Sequence, residues 1–175
     1  LGSRFRKAGY KVPKYQIEAH GRTLFDWSME SLKGFADPEN DYIFVVRKED
    51  DAEEFIRSSC EKIGITNVTV IGIDYLTDGQ ATTAMLAKDV WDKESALMIY
   101  NIDTYVEAYE MKTGQIAGDG FIPCFHAPGD HWSFAKLDAN GKVVEVREKE
   151  RISDNCTLGA YSVSYTHLTL PTIRL

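Results

Sequence analysis

Five basic side chains, Arg4, Arg6, Lys7, Lys11 and Lys14, crowd the first fourteen residues (LGSRFRKAGYKVPK), a stretch without a single acid. The whole chain has 20 Lys and Arg against 27 Asp and Glu, so the other 161 residues set 15 bases against 27 acids. A cationic stretch in an otherwise acidic chain suits a small polyanion. Gly2 and Gly9 leave room for backbone N–H groups to approach an anion, and Arg4 can grip phosphate oxygens in a fork. A helix following this loop would add the positive end of its dipole. The competing reading is a solvated N-terminal arm.

Three further places carry groups able to do chemistry. Gly79 falls between strand-like and helical text, with the hydrogen-bonding side chains of Thr77 and Gln80 beside it. An ordinary left-handed turn at Gly79, with Asp78 capping the next helix, explains the same residues. Glu148 and Lys149 end an alternating run, which aims them at opposite faces. Taken alone, such a pair on a strand edge faces solvent. Cys124, His126, Asp130 and His131 lie within eight residues and are all donors to Zn²⁺. Their spacing matches no common zinc pattern, however, and Pro128-Gly129 supplies a turn that explains the grouping.

The elements that must position these groups read as follows. Residues 23–35 (TLFDWSMESLKGF) place Leu24, Trp27, Met29 and Leu32 near helical spacing, with Gly34 close to a stop. Residues 41–46 (DYIFVV) and 67–73 (NVTVIGI) predict strands. Between them, residues 50–63 (DDAEEFIRSSCEKI) predict a helix with Phe55, Ile56 and Ile63 on one face and acids early. Residues 79–91 predict an Ala-rich helix and 96–100 (ALMIY) a strand. This alternation predicts an α/β, Rossmann-like three-layer α/β/α nucleotide-binding domain with a mixed, mainly parallel sheet. From Gly120 four β-type runs follow, at 121–125, 133–137, 143–147 and 158–163, without long helices between them. Asp138-Ala-Asn-Gly141 predicts a hairpin turn. With no linker in sight, residues 1–162 are expected to form one domain.

Composition narrows the classes. A net charge of −7 on 175 residues disfavours nonspecific nucleic-acid binding. No apolar run of membrane-spanning length occurs, and no leader marks export. Cys60, Cys124 and Cys156 are odd in number and scattered, as free thiols in a reducing cytoplasm would be. The sequence sets no oligomeric state. Residues 163–175 (VSYTHLTLPTIRL) turn abruptly Thr- and Leu-rich with one charge, and are expected to be a tail foreign to the domain.

Leu1-Gly2-Ser3-Arg4-Phe5, with Pro13-Lys14 downstream, resembles the glycine-rich signature loop of the sugar-1-phosphate nucleotidylyltransferases. Gly21-Arg22-Thr23-Leu24 is similar to that family's turn into its first long helix. Gly79-Gln80-Ala81 resembles its base-binding segment, Asn101-Ile102-Asp103 its metal-binding strand end, Glu148-Lys149 its Glu-Lys pair, and Gly159-Ala160-Tyr161 the strand that follows. These pieces keep the family's order over residues 1–162.

The resemblance implies transfer of a nucleotidyl group from a nucleoside triphosphate to a phosphorylated sugar or similar small phosphate, in surface polysaccharide precursor synthesis. It implies that Gly2 and Ser3 cradle the triphosphate, Arg4 holds the leaving pyrophosphate and Lys14 steadies the charge developing during transfer. Thr77, Gly79 and Gln80 would meet the base. Asp103, just past a strand's carboxyl end, would hold Mg²⁺; a turn or helix cap is the alternative. Lys149 would grip the acceptor's phosphate and Glu148 a sugar hydroxyl, with Gly159 alongside. The opening basic stretch is then expected to fold back to meet Asp103.

Departures from the family's pattern shape the expectation too. The loop's first glycine and its preceding strand would lie before Leu1, and a second metal-binding Asp would lie beyond the Glu-Lys pair. The chain is thus expected to be a domain truncated at both ends, binding nucleotide with little or no turnover. Two other readings are a metal-dependent glycosyltransferase of the A-type fold, which leaves Arg4 and Pro13-Lys14 unexplained, and a non-catalytic nucleotide-binding domain.

Overall fold

The computed structural model describes residues 3–35, 37, 39–92 and 94–163. Its contacts divide the chain into two compact units, Leu1–Lys93 with Tyr105–Thr113, and Glu94–Thr104 with Gly114–Leu175.

The first unit opens on helix α1 (Ser3–Lys7), so part of the expected loop is helical. Gly9, at φ 93°, lets the chain turn out of this helix; the Tyr10 N–H bonds back to the Phe5 carbonyl at 3.1 Å and the two rings meet edge to face. A short 3₁₀ turn, Lys14–Gln16, leads to a small hairpin of β1 (Glu18–Ala19) and β2 (Arg22–Thr23). His20 and Gly21 form its tip, both at positive φ as a tight primed turn needs.

Thr23 then caps α2 (Leu24–Glu30). Its hydroxyl accepts from the Asp26 N–H and the Asp26 carboxylate accepts from the Thr23 N–H, each at 3.1 Å, a reciprocal box that starts the helix sharply. The buried face of α2 is Phe25, Ser28 and Met29. Leu24, Trp27 and Leu32, expected to share that face with Met29, are only half-buried. The Trp27 indole instead donates to the Ala19 carbonyl at 2.9 Å and lies under the Arg22 guanidinium, so its polar edge is spent on the hairpin.

Strands β3 (Tyr42–Arg47) and β4 (Val68–Ile73) are parallel in unbroken register from Tyr42 opposite Val68 to Arg47 opposite Ile73. Helix α3 (Glu53–Lys62) joins them, with Glu53 and Glu54 in its first turn. It buries Ile56, Ser59 and Cys60, whereas Ile63 caps its end and is exposed. Helix α4 (Gln80–Met85) is much shorter than expected, and turns follow it up to the buried Ala87 and Trp91. The Thr83 hydroxyl bonds back to the Gly79 carbonyl at 2.9 Å, a local bond that competes with continued helix. Residues 105–113 return to this unit: the buried Ser31 hydroxyl accepts from the Val106 N–H at 2.8 Å, and Met111 is buried beside Gly34.

The second unit is built of antiparallel sheet. β5 (Leu97–Tyr100) and β6 (Gly120–Phe121) flank β11 (Ala160–Val163). β7 (Cys124–Phe125), β10 (Cys156–Thr157), β8 (Ser133–Leu137) and β9 (Val143–Glu148) form a second sheet in that order. The run expected as one strand at 121–125 is split around the buried Pro123, which has no N–H for a ladder. The 138–141 hairpin turn forms as expected. Asp138 accepts from the Asn140 and Lys142 N–H groups, which hold its carboxyl below the usual range. Among the described residues parallel pairing is confined to β3 and β4, so the sheet system is mixed. Val163 is the last residue of β11; the rest of the expected tail lies outside the described residues.

The three cysteines are free. Cys60 and Cys156 are fully buried, and burial pushes the Cys60 thiol up to about 11; Cys124 is exposed. A thiol reacts as its thiolate, so a raised value slows it; burial raises the Cys124 thiol too, and its exposure is what sets it apart. We expect one prompt reaction per chain with a disulfide reagent at pH 8, and the other two only on unfolding. Three prompt thiols would contradict this packing.

Candidate active site

In the first unit, the basic stretch lies on and just after α1. Arg6, Lys7 and Lys11 are exposed, and Arg6 faces Glu49 at 3.7 Å. Gly2 lies outside the described residues, as do the side chains of Ser3 and Arg4. Lys14 follows Pro13, half-buried, at the start of the 3₁₀ turn. Its neighbour Tyr15 donates to the Asp50 carboxylate at 3.2 Å; burial and that carboxylate hold its phenol above the usual range, so it stays protonated.

Thr77, Gly79 and Gln80 sit past the carboxyl end of β4, the side on which open α/β sheets bind ligands. Thr77 bonds Thr83 through the hydroxyls at 2.5 Å, which ties the loop to α4. Gly79 is extended (φ 171°), and a Cβ built on it would meet open space. This differs from the expected alternative of a left-handed turn, and Gly79 itself is the helix cap in place of Asp78.

In the second unit, β5 and β11 bring two of the expected residues to one end of a sheet. Tyr100 pairs with Ala160, so the turn Asn101–Thr104 that carries Asp103 emerges beside Gly159. A Cβ on Gly159 would stand 2.6 Å from the Asn101 amide nitrogen, and its φ is 75°. Only glycine satisfies both conditions without strain. Asp103 is exposed. Among the described residues no three acidic, His or Cys side chains gather. Asp103 itself offers one exposed carboxylate, a hard oxygen donor of the kind Mg²⁺ accepts alongside water and phosphate oxygens.

Glu148 and Lys149 depart from the expected geometry. Lys149 takes a left-handed conformation (φ 56°), its N–H bonding the Trp132 carbonyl at 2.8 Å. The strand's alternation ends there, so the two side chains meet in an exposed ion pair at 2.8 Å rather than facing apart. The pair holds the Glu148 carboxyl below its usual range.

A crystal structure of a nucleoside-diphosphate-sugar pyrophosphorylase from Vibrio cholerae matches with a TM-score of 0.84 at 35% identity, covering 95% of this chain and 72% of that one. The chain belongs to the nucleotidyltransferase family. An inositol-1-phosphate CTP transferase from T. maritima shares the fold at a TM-score of 0.77 and 14% identity, over 98% of this chain and 69% of its own. No family model and no curated protein matches.

In this nucleotidyltransferase the Cys124–His131 cluster has other work. His126 bonds Asn155 at 3.2 Å, Asp130 bonds Arg151, and His131 stacks on Trp132. Sequence reasoning missed Arg151, the most connected side chain of this region. Its local sequence, with Arg147 four residues before it, did not single it out. Among the described residues no helix is long and apolar enough to cross a membrane.

Proposed function

We propose that this nucleotidyltransferase transfers a nucleotidyl group from a nucleoside triphosphate to a phosphorylated sugar or similar small phosphate, for surface polysaccharide precursor synthesis. The likeness to a nucleoside-diphosphate-sugar pyrophosphorylase over nearly the whole chain is the observation that carries it. An acceptor phosphate oxygen attacks the α-phosphorus, the bond from that phosphorus to the bridging oxygen breaks, and pyrophosphate leaves. Little covalent help is needed, because positioning and charge neutralisation lower most of the barrier.

Arg4 would hold the leaving pyrophosphate, Lys14 would steady the developing charge, and the backbone at Gly2 and Ser3 would line the triphosphate. Thr77 and Gln80 would meet the base edge over the open surface at Gly79. Asp103 would hold Mg²⁺, which supplies charge neutralisation on the phosphates. Lys149 would release Glu148 to take the acceptor's phosphate, freeing the glutamate for a hydroxyl, with Gly159 leaving space beside them. Three free thiols accord with a cytoplasmic setting.

Equilibrium binding tests this reading. A nucleoside triphosphate should bind with Mg²⁺ and weaken at least tenfold with chelator, and Asp103→Ala should abolish the metal dependence. Binding a nucleotide-sugar but no free triphosphate would favour a glycosyltransferase instead. Gly79→Ala enters open space at a helix cap, so stability should change by no more than about 1 kcal/mol. Triphosphate affinity should nonetheless fall about tenfold; unchanged affinity would remove Gly79 from the base site.

A further inference from the structure

Strand β9 closes one side of its sheet: it pairs with β8 and, among the described residues, with no other strand. The Lys149 N–H bonds the Trp132 carbonyl, and the same ladder sets Arg147 opposite Phe134 and Glu145 opposite Lys136. In an antiparallel ladder these bonds come from alternate residues, so the N–H and C=O of Val146 and Glu148 point to the open edge. Backbone presented in that way is a template for one more strand. Val143 and Val144 continue the edge and are 42% and 60% exposed, so apolar surface adjoins the open backbone.

The side chains select what that strand is. Glu145 and Arg147 lie on one face, two residues apart, and bond each other at 2.8 Å while staying 37% and 54% exposed. Directly opposite Glu145 on β8 stands the exposed Lys136. An antiparallel copy of β9 centred on Val146 would set each Glu145 opposite the Arg147 of the other chain. Every Glu145 then has a cation on both sides, Lys136 of its own β8 and Arg147 of the copy. Moving the centre by one residue sets Glu145 against its own copy, or Arg147 against its own, and like charges directly opposite destabilise a sheet. Centring on Val146 also lets its outward N–H and C=O meet those of the copy as a reciprocal pair of hydrogen bonds.

We propose that β9 is the interface for a second copy of this chain, the two β9 strands pairing antiparallel about Val146 to join their sheets into one. Such a two-fold contact uses the same surface on both chains and stops at a dimer. Charges on a solitary edge keep foreign strands away. Here their order along the strand also complements itself, which a purely protective edge does not require.

Sedimentation velocity on whole chains, with amide exchange alongside, is the test. Wild type should pass from monomer to dimer as concentration rises, more weakly at high salt, and the Val146 amide should exchange more slowly as the dimer forms. Glu145→Arg and Arg147→Glu each place like charges across the axis and should weaken self-association at least tenfold. Neither side chain is buried, so both variants should fold. Mixed in equal amounts, they bring an all-basic edge against an all-acidic one, and should form a heterodimer at least tenfold tighter than either variant with itself. A wild type that stays monomeric at every concentration, a dimer that neither variant weakens, or variants that ignore each other on mixing would each overturn the proposal. So would a Val146 amide equally protected in dilute and concentrated chain, which would give the edge to the chain's own residues.

Discussion

Phe25→Ala is expected to destabilise the protein by about 3–5 kcal/mol, the usual cost of emptying a large aromatic site in a closed core. Phe25 is 1% exposed, and its ring meets Phe44 of β3 at 5.5 Å and Phe55 of α3 at 5.6 Å. Tyr15 extends the cluster through Phe55 at 6.1 Å. Three elements therefore lean on one side chain, and none of them can close the gap without moving the other two. For a chain of this size a melting temperature falls roughly 2–4 °C per kcal/mol, so the loss should lie near 10 °C. Leu24→Ala is the informative control, because Leu24 precedes Phe25 on α2 but is only half-buried. It should cost about 1–2 kcal/mol, in line with a partly exposed side chain. Were urea titrations to rank the two the other way, α2 would be packed on the face that the apolar spacing suggests rather than the face described here.

That contrast shows what the sequence made legible and what it left hidden. Local chemistry read well where one interaction decides the outcome. The Asn-Gly pair before Lys142 forms the expected hairpin, whereas the capping box of Thr23 and Asp26 was not singled out. The β-branched runs that became β3 and β4 were plain for the same reason. The helix face of α2 was less plain, because Trp27 and Leu32 match the period as well as Phe25 does, and only packing chooses among them. β10 has two residues, too few for any alternation to show. The length of α4 depended on Thr83 bonding back to Gly79, which composition does not reveal. At the candidate site, Asp103 and Gly159 could be singled out by resemblance, but their adjacency comes from the pairing of strands about sixty residues apart. Arg151 was invisible for a similar reason. All five of its acceptors are backbone carbonyls or carboxylates on a loop more than twenty residues upstream or in the turn just after it, and three of the five are main-chain oxygens of no particular residue type.

Gly159→Val should be the most damaging change at the candidate site, at roughly 3 kcal/mol, and its cost should divide into two separable parts. A β-branched residue in the left-handed region is strained by about 1–3 kcal/mol. The new Cβ would also overlap the Asn101 amide, 2.6 Å away, and overpacking of that kind adds about 1–3 kcal/mol. Asn101→Ala in the same chain removes the obstructing amide and should recover the second part while leaving the first, so the two substitutions should be strongly non-additive. Asn101 opens the turn that carries Asp103, so a displaced Asn101 shifts that carboxylate as well. Mg²⁺-dependent triphosphate binding should therefore weaken in Gly159→Val and return in part with Asn101→Ala, in step with the recovered stability. If Gly159→Val melts within a degree or two of wild type, the Asn101 amide does not lie against Gly159. If stability recovers in the double variant and metal-dependent binding was never disturbed, the turn at Asp103 is not where the metal is held.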